Sequence, residues 1–288
     1  MVSEQKDTDS ARTFDLVPIE AVRGFWDARP CNVRHSSKPI GSREYFDDVE
    51  ARRYFVEPHI LEFADFERWR GLRVLEIGCG IGTDTISFLR AGATVAAVEL
   101  SHESLALAET RAHLYGFSDR VRFIEANAEE LDKSLTVESF DLLYSFGVIH
   151  HTPHPDRVLD QLRKYSKSGS IVKLMMYHSF SFKVLWAAIR FGHGRVWKWR
   201  ETIARYSEAQ TGCPVTYTYT KRELGRLLEA RGFRIVDMRI EHIFPYSIPE
   251  YVEYRYKKVW YFSWMPTPLF RWLEHTFGWH LCVTAVAA

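Results

Sequence analysis

The stretch Val74-Leu75-Glu76-Ile77-Gly78-Cys79-Gly80-Ile81-Gly82-Thr83 restricts the fold more than any other part of the chain. A short apolar strand, Arg73–Ile77, runs into three glycines at alternate positions and then into a helix-forming segment. Glycines in such a turn let backbone approach a ligand closely and take angles closed to other residues. The chain beyond the turn keeps alternating strand with helix. Residues 93–99 form a second apolar strand. Ser101 caps a helix over 102–115, with Leu105, Ala108 and Ala112 on one face. Further strands lie at 120–125, 140–146 and 170–177, with a helix over 155–166. Continuous apolar strands joined by helices make a parallel sheet covered on both faces. Thr220 and Glu223 read as a capping box that opens another helix, and 233–241 and 279–288 supply a sixth and a seventh strand.

The spacing also narrows the ligand. Glu99 ends the second strand, 21 residues beyond Gly78, where an acid can take both hydroxyls of a ribose. A nucleoside derivative is expected. A dinucleotide fingerprint would place its third glycine at residue 83, but that residue is threonine and the glycine falls at 82. No Gly-Lys-Ser/Thr phosphate loop is present. A carboxylate at Glu76 would repel a pyrophosphate and suits a ligand that carries an ammonium group.

On these residues the chain resembles class I S-adenosylmethionine-dependent methyltransferases. The likeness rests on the glycine motif with Glu76, Gly78, Gly80 and Gly82, on the strand-two acid Glu99, on Glu125-Ala126-Asn127-Ala128-Glu129-Glu130 after strand three, and on Gly147-Val148-Ile149-His150-His151-Thr152-Pro153 after strand four. It covers residues 71–178 well and the rest more loosely. The resemblance implies a seven-stranded, mostly parallel Rossmann-like sheet with an N-terminal helical extension over 1–70 and aromatic-rich insertions at about 179–219 and 244–277 forming a substrate cover. It implies S-adenosylmethionine as cofactor. Glu76 and the backbone of Gly78 and Gly80 would face the methionine moiety, and Gly82 and Phe146 would also belong to the cofactor site. Glu99 would hold the ribose, Leu100 would pack on adenine, and Asn127 with Ala128 would meet its edge. Many relatives carry aspartate where Asn127 stands; an amide oxygen can accept the same bond.

The acceptor side is less determined. His150, His151 and His178 lie where strands four and five end, and each reads either as a base beside the substrate or as an ordinary loop residue. HHTPH could hold a metal, but no carboxylate partner stands nearby, so no metal is expected. Trp26, Arg29, Arg34, Tyr177 and Tyr217 are the expected substrate contacts. The two arginines suit an anionic group, against surface ion pairs as the plainer alternative. Aromatics make up 15% of the chain and crowd 180–199 and 244–279. They read as a small core of their own, as a lid around a sulfonium, where a cation near an aromatic face gains ~0.5–2 kcal/mol, or as a membrane-contacting surface beside Lys257 and Lys258.

Lys plus Arg number 38 against 37 Asp plus Glu, a net charge of +1. That balance disfavours a binder that neutralises nucleic-acid phosphates. Four cysteines stand far apart with no CxxC pair, which argues against a cysteine zinc site or a disulfide framework. No leader-like segment and no run of the ~20 apolar residues that a bilayer span requires is present, so a cytoplasmic protein is expected. A small-molecule methyltransferase is the leading expectation. Transfer of the cofactor's aminocarboxypropyl arm, cyclisation, and a non-catalytic binding protein on the same fold are the alternatives.

Overall fold

The structure is a computed structural model, and it describes residues 14–191, 202–203 and 213–288. Seven strands form one sheet in the order β3-β2-β1-β4-β5-β7-β6. They are β1 Arg73–Ile77, β2 Thr94–Glu99, β3 Val121–Glu125, β4 Phe140–Phe146, β5 Ser166–Tyr177, β6 Phe233–Glu241 and β7 His280–Ala287. β1 to β5 run parallel, and β7 lies antiparallel between β5 and β6. The expected architecture is therefore present, with strand bounds within a residue or two except at β5, which begins four residues early.

Burial explains the strand pattern. In β1 every residue after Arg73 is buried, because helices cover both faces. Leu75, Ile77, Leu143, Val172 and Val283 belong to one core layer, while Val74, Val95, Ala97 and Leu142 belong to the other. Of the helices, α1 spans Ile19–Ala28, α2 Arg43–Val56, α3 His59–Ala64, α4 Thr83–Ala91 and α5 His102–Leu114. Helices α6 (Pro155–Lys164), α7 (Phe182–Phe191) and α8 (Lys221–Glu229) come next. The expected caps form. Ser101 accepts from the Ser104 N–H, and Thr220 with Glu223 makes both bonds of the capping box. Such a cap contributes about 1 kcal/mol.

The expected N-terminal helical extension is present before β1. Helix α1 is an element the sequence pattern does not reveal. It packs Val22 against Val215 and Tyr217 and brings Trp26 beside them. The second insertion folds into three short helices, α9 Ile248–Val252, α10 Trp260–Ser263 and α11 Thr267–Phe277. It is tied to α2 through Arg52, whose guanidinium lies 3.9 Å from the Tyr251 ring and 4.4 Å from that of Tyr254. Of the first insertion, Trp197, Trp199 and Tyr206 lie outside the described residues. Among the described residues, no helix is long and apolar enough to cross a membrane.

Candidate active site

A cavity of about 300 Å³ opens along the carboxyl ends of the parallel strands. The sheet order arranges its walls. Gly80, Glu99 and Asn127 stand at the ends of β1, β2 and β3, while Phe146, Tyr177 and His280 stand at β4, β5 and β7. Ligands of open α/β sheets bind at this edge.

At the first end, Glu99 is held by three backbone N–H groups. Gly80 donates to Oε2 at 2.8 Å, while Leu100 and Ser101 donate to Oε1 at 2.8 and 2.9 Å. Burial pushes its carboxyl above the ordinary range, and these donors pull it back. Oε2 has one of these donors, which leaves it acceptor capacity for a hydroxyl. Gly80 sits at φ +55, and a Cβ built on it meets nothing within 4 Å, so its surface is open to a ligand. Gly78 serves otherwise. At φ +76, a Cβ there would come within 2.3 Å of the Val148 side chain, so the missing side chain lets the loop after β4 close on the turn. Gly82 does not line the cavity; it is the N-cap of α4 and packs on Ala108.

Glu76 is buried, and Thr85 Oγ1 donates to it at 2.6 Å. Burial first, then repulsion from Asp84, raise its carboxyl to about 8. The group is thus mostly protonated near pH 7 and is not hydrogen-bonded to a cation, Arg53 acting on it only through space. Asp84 has one, accepting from Arg53 at 2.9 Å and from the Tyr144 and Tyr54 hydroxyls at 2.9 and 3.0 Å. Arg53 and Asp84 both line the cavity, and neither stands out in the sequence. An acid in the first turn of a helix ordinarily complements the helix dipole, so Asp84 carries no distinguishing signal. Leu100, Ala128 and Phe146 line the cavity, as does Asn127, whose Oδ1 also accepts from the Glu129 N–H at 3.0 Å.

The acceptor-side residues separate into two groups. Trp26, His151 and Tyr177 line the cavity. His151 Nδ1 lies 2.8 Å from the Val215 carbonyl, which places the proton on Nδ1 and makes Nε2 the basic nitrogen. His150 is buried under the Tyr177 ring at 3.7 Å, and burial pushes it well below its ordinary range. It does not reach the cavity wall. His178 does not either; its ring faces the Gly278 carbonyl at 3.2 Å. Tyr217 turns its hydroxyl to the Pro153 carbonyl at 3.1 Å. Arg34 is exposed and away from the cavity wall, and the Arg29 guanidinium lies over the Phe25 ring. Cys31 and Asn32 take the wall position between these two arginines. None of the described residues of 179–219 or 244–277 lines the cavity. Its cover comes from Ile19, Val22 and Trp26 of α1, with Arg53 and Glu57 at the end of α2.

HHTPH is not drawn together as a ligand set. His154 Nδ1 instead faces Asp15 at 3.9 Å.

A methyltransferase-domain family model matches residues 49–238. A ubiquinone biosynthesis O-methyltransferase of Agrobacterium fabrum is 33% identical over 102 residues, covering 35% of this chain and 39% of that protein. The chain spans a quarter to a half of the length of the curated relatives it matches. Among solved structures, magnesium protoporphyrin IX methyltransferase from Synechocystis PCC 6803 with bound S-adenosylhomocysteine aligns over 94% of this chain and 100% of its own, with TM-score 0.59 and 13% identity. The [4+2]-cyclase SpnF aligns over 96% and 94%, with TM-score 0.53 and 17% identity. Sheet order, glycine turn and family match agree: the chain belongs to the class I S-adenosylmethionine-dependent methyltransferases.

Proposed function

We propose that this protein methylates a small organic acceptor held in the cavity beside S-adenosylmethionine. One observation carries the reading. One cavity is lined both by the glycine turn and Glu99 and by Phe146, Met175, Tyr177 and His151, with Ile19, Val22 and Trp26 of α1 on its wall. The residues of the first part fit the cofactor. Gly80 leaves a cradle that a Cβ would fill, and Glu76 is a buried carboxyl hydrogen-bonded to Thr85 rather than to a cation. The bound cofactor supplies an electrophilic methyl group on a sulfonium sulfur.

The chain's own residues then have three tasks. Glu99 accepts from the ribose hydroxyls, and Glu76 takes the ammonium group, giving up its proton. Trp26, Phe146 and Tyr177 exclude water and bring an apolar acceptor to within ~3–3.5 Å of the methyl group. His151 Nε2 receives the acceptor's proton where the acceptor is a hydroxyl or an amine. The cover is mainly apolar, and net charge is near zero, which suits a compact molecule better than a nucleic acid. Incubation with S-adenosylmethionine and an acceptor panel, read by mass spectrometry, tests this. S-adenosylhomocysteine with an acceptor heavier by one methyl supports it; methylthioadenosine marks arm transfer or cyclisation instead.

A further inference from the structure

At the acceptor end of the cavity three chain segments that are distant in sequence meet. Glu57 follows the last residue of α2, His242 follows β6, and His280 opens β7. The antiparallel register sets Glu241 opposite His280, which brings His242 and His280 side by side with ring centroids 4.6 Å apart. One ligand atom from each of the three residues lies within 4.8 Å of the other two. We propose that Glu57, His242 and His280 form a binding site for one divalent transition-metal ion of the zinc class.

Three observations support the assignment. First, His280 Nδ1 lies 2.9 Å from His59 Nε2. With the proton on Nδ1, His280 donates to His59 and turns the Nε2 lone pair toward Glu57, as an outer partner does for a metal-bound imidazole. Second, His280 Nε2 and Glu57 Oε1 stand 3.6 Å apart, too far for a good hydrogen bond. Two ligands at ~2.0–2.1 Å from a tetrahedral ion stand about 3.4 Å apart. Third, His242 is held at φ +70, an uncommon angle for a residue with a side chain, while its carbonyl accepts from the Trp279 N–H at 2.8 Å. Strained backbone of this kind concentrates at ligand clamps.

Two imidazoles and one carboxylate suit a dication, and they select zinc, cobalt or nickel over magnesium or calcium. The Arg53 guanidinium is 4.0 Å from the other Glu57 oxygen and 2.9 Å from Asp84. Glu57 and His280 also line the cavity, so an exogenous ligand can reach the ion from that side. The binding test does not depend on the methyl-transfer reading.

Untagged, chelator-stripped protein is titrated with zinc against a chromophoric chelator, and separately with cobalt while the visible spectrum is followed. About one ion per chain and the intense bands of low-coordinate cobalt are expected. His242→Ala and His280→Ala should weaken zinc binding by roughly 30-fold or more, and His59→Gln by roughly 10–100-fold. The exposed His113→Ala should not alter it. Glu57→Gln, at a half-buried position, replaces any histidine variant whose melting curve shows that it does not fold. Absent or substoichiometric binding, or binding that survives both histidine changes, overturns the site. S-adenosylhomocysteine titration of the same stripped protein reports separately on the cofactor reading.

Discussion

Replacing Glu99 separates the fold of the turn from its use. In the free protein the carboxylate accepts from the backbone N–H groups of Gly80, Leu100 and Ser101 at 2.8 to 2.9 Å. With cofactor bound, it would also accept from two ribose hydroxyls. A hydrogen bond to a charged acceptor is worth ~1.5–3 kcal/mol. Two such bonds, partly offset by water in the variant, give a loss of about 2–4 kcal/mol, or roughly 30- to 1000-fold in Kd. Glu99→Ala also strands three N–H groups. The open cavity lets water reach them, so stability should fall by only ~1–3 kcal/mol. Glu99→Gln keeps the two bonds to Oε1 but sets an amide donor against the Gly80 N–H, and it should show most of the binding loss with less of the stability loss. Calorimetric titration with S-adenosylhomocysteine gives the first quantity and denaturant melts the second. An affinity within about threefold of wild type for both variants, with both folded, would remove Glu99 from the ribose site.

Glu76 makes the free protein sensitive to pH. Its folded carboxyl, near 8 against an ordinary 4.5, holds its proton longer than in the unfolded chain. The stability it adds is complete below about pH 4.5 and is lost as pH rises through 8, a total of about 3–5 kcal/mol that Glu76→Gln should abolish in melts across that window. The same carboxyl should release close to one proton when an ammonium-bearing cofactor binds at pH 7, measured by calorimetry in buffers of different ionisation enthalpy. Gly78→Ala should destabilise the fold by more than ~2 kcal/mol through its clash with Val148, whereas Gly80→Ala should cost ~1 kcal/mol of stability and weaken cofactor binding more. Equal melting temperatures for the two variants would contradict this. His151→Gln should lower turnover on a hydroxyl acceptor by roughly 100-fold or more and flatten its pH profile, while cofactor affinity stays within about threefold; unchanged turnover would leave Nε2 without a role as base.

The cofactor half of the site is legible in the sequence because its residues lie on one continuous stretch of chain. β1, the glycines and Glu99 sit at fixed spacings that a short loop geometry demands. Parallel strands buried on both faces are apolar throughout, and their bounds stand out for that reason. The acceptor half is legible only in part: Trp26, His151 and Tyr177 reach the wall, but the elements that place them do not stand out. α1 carries Gly24 and has no side-chain cap at its start, so the usual start signal of a helix is missing. The short helices of the second insertion are punctuated by Pro249, Pro266 and Pro268. His59, His242 and His280 stand far apart in the chain, and only the placement of β7 between β5 and β6 brings the latter two together. The arginines at 29 and 34 draw notice as cations in a dense segment. The backbone turns them away and brings Cys31 and Asn32 to the wall instead.

The most direct test is to incubate the purified protein with S-adenosylmethionine carrying a labelled methyl group and a panel of small hydroxyl, thiol and amine acceptors, and to follow label and nucleoside product together. The structure predicts S-adenosylhomocysteine in equal amount to a labelled acceptor, with both lost in Glu99→Ala. Tight cofactor binding with no transfer to any acceptor class, or a nucleoside product other than S-adenosylhomocysteine, would contradict it.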